Sequence, residues 1–251
     1  MQTARVLLPL RRRRLLALPA AAVAAVVVAV VVNDRAEASD WSSPHAHPHG
    51  VGALAPGFHA PGVTSFYSSQ LVKPDTESWT AVRPSGDYRV LLLAAGRDAR
   101  TPVDAQVGIL VDAARKWARA EDRVQLKVRY LTNPTTYVSD LDTATRKDHA
   151  DLIITAGNDL VAPVAVVSAN YAGYDPQQYL VLGAEVAEPT KNIAATDWDG
   201  SAYIGEGLDQ TLYYRPEAVT APRAYAALRA GTAAVLSGYT SVIVRIPADE
   251  Y

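Results

Sequence analysis

From Tyr88 onward the chain alternates between two hydrophobic patterns. Short continuous apolar runs ending in glycine or a polar cluster read as strands buried on both faces. Arg89–Gly96, Asp151–Gly157, Tyr179–Ala184, Asn192–Asp197 and Ser241–Pro247 are of this kind. Val124–Leu131 instead alternates, with Val124, Leu126, Val128 and Tyr130 on one side, and suits a strand nearer an edge. Between these runs, apolar residues recur every three or four positions, as one face of a helix requires. Val103, Val107, Leu110, Val111, Ala114, Trp117 and Ala118 form one such stripe, opened by Thr101 as N-cap and Pro102 in the first turn. The pattern predicts further helices over 135–148 (inner face Tyr137, Val138, Leu141, Ala144), 158–171, 201–208 and 218–236, with His149 at a helix end. Strand and helix in alternation predict an α/β domain over 88–251: a single doubly wound, mostly parallel sheet of about six strands, flavodoxin-like.

The amino-terminal part has another character. Leu15–Val32 is an uninterrupted apolar run behind the Arg11–Arg14 cluster. As a helix it spans roughly 27 Å, about the hydrocarbon thickness of a bilayer. The arginines favour a cytoplasmic start and a body outside the cytoplasm. Residues 1–38 are therefore expected to be a signal peptide or a signal anchor. Ala36-Glu37-Ala38 fits a cleavage site, while the length of the apolar run suits a retained anchor, and both readings stay open. The expected location is the cell membrane, by a single pass, or secretion after cleavage. Residues 39–87, rich in Pro, Gly, Ser and His and without periodicity, read as an extracytoplasmic linker. His45, His47 and His49, with His59 nearby, are imidazole donors, but no neighbouring carboxylate or thiolate completes a site, so no metal and no cofactor is expected.

Composition narrows the function classes. The chain has 26 acidic and 24 basic residues, and five of the arginines precede residue 33 while every acid follows it. The acidic remainder argues against a nucleic-acid partner. The absence of cysteine excludes disulfides, thiolate metal sites, cysteine nucleophiles and a lipidated cysteine anchor. No dinucleotide fingerprint, P-loop or nucleophile elbow is present, and the expectation is a protein that is not an enzyme.

In a wound sheet, ligands meet the loops at the carboxyl ends of the strands. The candidate ligand contacts there are Arg97 and Asp98, Asn158 and Asp159, Glu185, and Asp197, Trp198 and Asp199. Gly157-Asn158-Asp159 has two readings, a helix cap or a polar helix terminus aimed at a ligand. Asp197-Trp198-Asp199 joins an indole to two carboxylates, a set suited to stacking on a flat solute and accepting from its hydroxyls; alternatively Asp199 caps a helix. A hydrolase using Asp151, Asp197 or Glu185 with a metal is a weaker alternative.

Asp151-Leu-Ile-Ile-Thr-Ala-Gly-Asn158, Leu180-Val-Leu-Gly-Ala-Glu185, Asn192-Ile-Ala-Ala-Thr-Asp197 and Gly205-Glu-Gly stand in an order that resembles the first lobe of the basic membrane protein (BMP) family, the extracytoplasmic substrate-binding proteins of ABC transporters. The likeness spans about residues 88–210. It implies a type I periplasmic-binding lobe, a small polar, nucleoside-like solute, and a membrane transporter as partner. The family's nucleoside binders carry an Asp-Asp/Gly-x-x-Phe-Asn stretch after the first strand. Here that stretch reads Gly96-Arg97-Asp98-Ala99-Arg100-Thr101-Pro102, with Asp98 alone standing in. A single lobe leaves half of a ligand in water, so a homodimer face or another partner is expected to cover it. The rival expectation is a membrane-anchored structural or protein-interaction module of the same fold without a ligand.

Overall fold

The computed structural model describes residues 41–59, 70–96, 102–201 and 215–247, all within the unit Ser39–Tyr251. Its elements are β1 (Gly50–Val51), β2 (Gln70–Val72), β3 (Arg83–Pro84), β4 (Tyr88–Ala95), α1 (Pro102–Ala120), β5 (Val124–Leu131), α2 (Tyr137–Lys147), β6 (Leu152–Ala156), α3 (Val161–Asn170), β7 (Gln178–Leu182), β8 (Ile193–Asp197), α4 (Ala221–Leu236) and β9 (Val242–Arg245). Seven strands form one sheet in the order β2-β9-β8-β7-β6-β4-β5, with every neighbouring pair parallel. This is the doubly wound α/β fold that the pattern predicts, with β5 at one edge as its alternation requires. The Leu15–Val32 run and the 201–208 helix, beyond Ser201, lie outside the described residues. No helix among the described residues is long and apolar enough to cross a membrane.

The continuous apolar runs are explained by cover on both sides. Alternate β4 side chains enter different cores: Val90, Leu92 and Ala94 pack with α1 and α4, and Leu91, Leu93 and Ala95 with the core under α2 and α3. The α1 stripe is buried through Val107, Leu110, Val111, Ala114 and Trp117. On α2, Leu141 and Ala144 are buried, but Val138 is 45% exposed and lies off the inner face assigned to it. Pro163 falls in the first turn of α3, where its missing N–H costs little. His149 follows the α2 C-cap Asp148 at φ +45°, the left-handed turn that ends the helix.

The described parts of 39–87 are not a free linker. Trp41, Phe58, Val72, Trp79 and Val82 are buried in the two cores, and β2 adds a seventh strand beside β9. Arg229 of α4, itself buried, pairs with Glu121 at 2.9 Å and donates to the carbonyls of Thr80 and Val82 at 3.3 and 3.4 Å. Arg83 reaches the same Glu121 oxygen. The segment shows no periodicity because single large aromatics and one ion-pair cluster hold it, with no regular face involved.

The order also fixes where a ligand would meet the sheet. From β4 the chain moves outward to β5, then crosses back to β6 and winds the other way through β7, β8 and β9. The switch point lies between β4 and β6, whose carboxyl ends diverge into different helices.

Candidate functional site

Three strands end at this rim in glycine: Gly96, Gly157 and Gly183 have φ of +78°, +79° and +78°. That conformation is open to glycine and strained for other residues. Close approach adds a second reason, since a Cβ on Gly157 would lie 3.2 Å from Val107 and one on Gly183 3.0 Å from Leu110. Helix α1 therefore seats directly against the ends of β6 and β7. The rim divides into two unlike halves.

At the switch point, Gly157 leads into Asn158, Asp159 and α3. Asn158 does not cap α3: the N-cap position is Leu160, which makes no side-chain cap hydrogen bond. The Asn158 side-chain oxygen is buried and has no hydrogen-bond partner. An unmet buried acceptor costs on the order of 1–3 kcal/mol, so a polar group that reached it would gain correspondingly. The Thr155 hydroxyl, buried on β6, is likewise unmet. Asp159 is exposed. Arg97 and Asp98 lie outside the described residues.

The other half is closed by the protein's own ion pairs. Arg245, at the end of β9, sets its guanidinium against both Asp197 and Glu185: Nη2 to Asp197 Oδ2 is 2.7 Å, Nε lies 3.2 Å from each Asp197 oxygen, and Nη2 also contacts Glu185 Oε1. Glu185 and Asp197 are buried. Asp199 pairs with Arg215 at 2.5 Å. Three carboxylates thus face two guanidiniums. Burial first, and then the charge of Asp199, push the Asp197 carboxyl up to about 8, against the pull of Arg245. A proton on Asp197 balances the cluster. Burial in turn lowers the Arg245 guanidinium from its ordinary value.

Trp198 is not a stacking surface. It is 1% exposed, with its indole N–H donating to the Ala218 carbonyl at 2.7 Å, and it belongs to the α1–α4 core. The structure therefore brings Glu185, Asp197 and Asp199 together, keeps Asn158 and Asp159 at a separate strand end, and withdraws Trp198. Arg245 is the residue that the pattern of apolar runs conceals; its signal is a charge set between the buried residues Val244 and Ile246 at the end of β9.

Asp151 precedes β6 and so lies at the opposite, amino edge of the sheet. It cannot share a catalytic centre with Glu185 or Asp197. There it meets His45 and His47 from the segment read as a linker, and the three place a ligand atom each within 4.8 Å of the others.

No protein-family model matches the chain, and no curated protein matches it either. Among solved structures, it is similar to a fragment described as a lipoprotein from Peptoclostridium difficile 630, at 17% identity and TM-score 0.37, over 43% of this chain and 84% of that one. A solute-binding protein of an ABC transporter system from Aeropyrum pernix K1 matches at 21% identity and TM-score 0.35, over 45% of this chain and 29% of that one. A periplasmic ribose ABC transporter protein from Conexibacter woesei DSM 14684 matches at 12% identity and TM-score 0.35, over 65% and 55%. The chain thus spans about half or less of the two transporter-associated structures. Likeness at this level does not bear on ligand or partner, and the fold class rests on the sheet order itself.

Proposed function

We propose that this chain is an extracytoplasmic, non-enzymatic domain that binds or senses a small polar solute, held at or released from the membrane by residues 1–38. The carrying observation is the buried, unmet Asn158 oxygen at the carboxyl end of β6, beside the point where the sheet changes winding direction. The arginine cluster and apolar run ahead of the body support the location. The order of motifs resembling the BMP family supports a nucleoside-like solute and a transporter partner. A single lobe covers one side of such a ligand, so a second copy or the transporter would close the other side.

Isothermal titration of nucleosides, sugars and amino acids into the full chain tests this reading. At least one class is expected to release heat, and Asn158→Ala is expected to weaken that binding at least about tenfold while the fold is kept, the loss of one buried hydrogen bond. Absence of heat from every class removes the proposal.

One observation favours the second reading, a ligand-free interaction module. Arg245 already engages the buried carboxylates of Glu185 and Asp197, so these two candidate contacts are taken up by the protein itself. That reading predicts an assembly whose size by light scattering is the same with and without small molecules.

A further inference from the structure

We propose a divalent metal site, of zinc-like preference, formed by His45, His47 and Asp151. It lies at the amino edge of the sheet, away from the proposed solute rim, and so stands or falls separately from it. The Asp151 side chain is 2% exposed. Its Oδ2 accepts the backbone N–H of Arg89 at 2.7 Å, which fixes the carboxylate and turns Oδ1 toward the two imidazoles. His47 Nδ1 is 2.5 Å and His45 Nε2 3.1 Å from that oxygen.

His47 Nδ1 shares a hydrogen bond with that oxygen, whereas His45 Nε2, although 3.1 Å from it, is buried and makes no hydrogen bond. A cation between the three atoms would meet both nitrogens and the buried carboxylate together. Two imidazoles and one carboxylate oxygen are the donors that zinc accepts, and bonds of about 2.0–2.1 Å would set the three donor atoms roughly 3.3 Å apart. The separations of the two nitrogens from Asp151 Oδ1 need only a small opening at His47, whose side chain is 54% exposed, and the three atoms already lie within 4.8 Å of one another. The hydrogen bond from Arg89 is the orienting contact behind the ligands that metal-bound carboxylates commonly have. A cavity of about 330 Å³, lined by His47, His49, Tyr88, Asp151, Asp175 and Gln177, opens onto the site and gives both an entry path and room for a water as fourth ligand.

The consequence is mechanical. His47 and Asp151 are 104 residues apart in sequence, so a shared ion would clasp the segment after the amino-terminal run to the sheet. Zinc should therefore stabilise the folded chain by mass action.

Untagged full-length protein, stripped with a chelator, is titrated with zinc and then with cobalt. The expected result is one site of about micromolar affinity or tighter, a higher thermal midpoint with zinc, and the visible absorption of four-coordinate cobalt. His45→Ala and His47→Ala should each weaken binding at least about tenfold, and His49→Ala should not. Asp151→Asn tests the carboxylate; because it is buried, His47→Ala serves as the variant expected to keep the fold. Binding absent from the wild-type chain, or binding that survives His47→Ala and is lost with His49→Ala, overturns the proposal.

Discussion

The Asp197 side chain carries the clearest pH signature. Its carboxyl stands near 8 in the folded chain, against roughly 3.9 in an unfolded one, so between these values the folded state holds a proton that the unfolded state has released. Stability contributed by that proton is full below the unfolded value and declines as pH rises toward 8, by at most about 1.4 kcal/mol per pH unit. Asp197→Asn keeps the shape and an acceptor for Arg245 but cannot titrate. Urea unfolding at about pH 5, 7 and 9 should show wild-type stability falling with pH, a flatter profile for the variant, and the variant ahead at the highest pH. A wild type that gains stability across this range would show that the Arg245 pairing prevails. The same residue marks what sequence can disclose: Asp197 stands at a strand end and is legible as rim, whereas its partner Arg245 comes from 48 positions away.

At the scale of elements, the buried strands were the most legible feature, because cover on both faces forces mostly apolar runs in β4, β6, β7 and β8. β2 was not legible. Three residues show no period, and the prolines around it read as interruption. Besides the β2–β9 pairing and the buried Trp79 and Val82, 70–87 is fastened to the body by the cluster of Glu121, Arg229 and Arg83, spread over three segments. Removing one partner of a buried pair strands the other charge, at a cost of about 3–5 kcal/mol. Glu121→Ala should lower the unfolding free energy measured in urea by that order and increase amide exchange at 79–84, whereas Arg115→Ala, on an exposed pair, should change little. Equal effects from the two variants would mean that the cluster is not what fastens the segment. Asn158 illustrates a different limit: asparagine before a helix has the composition of a cap, and only the coordinates show that its oxygen caps nothing.

At the scale of the molecule, one parallel sheet displays two edges with different chemistry. The carboxyl edge has a switch point with an unmet acceptor and a flank sealed by arginine pairs. The amino edge gathers two histidines and a buried aspartate that only folding brings together. The extracytoplasmic, solute-binding reading proposed above rests on the apolar run of residues 15–32 and on the switch point in the sheet order. Amide NMR of the 39–251 unit, titrated with whichever solute gives heat, tests this account most directly. Shifts centred on Gly96, Gly157 and Asn158 are the predicted result. Shifts centred on Glu185, Asp197 and Arg245, with the switch point silent, would contradict it.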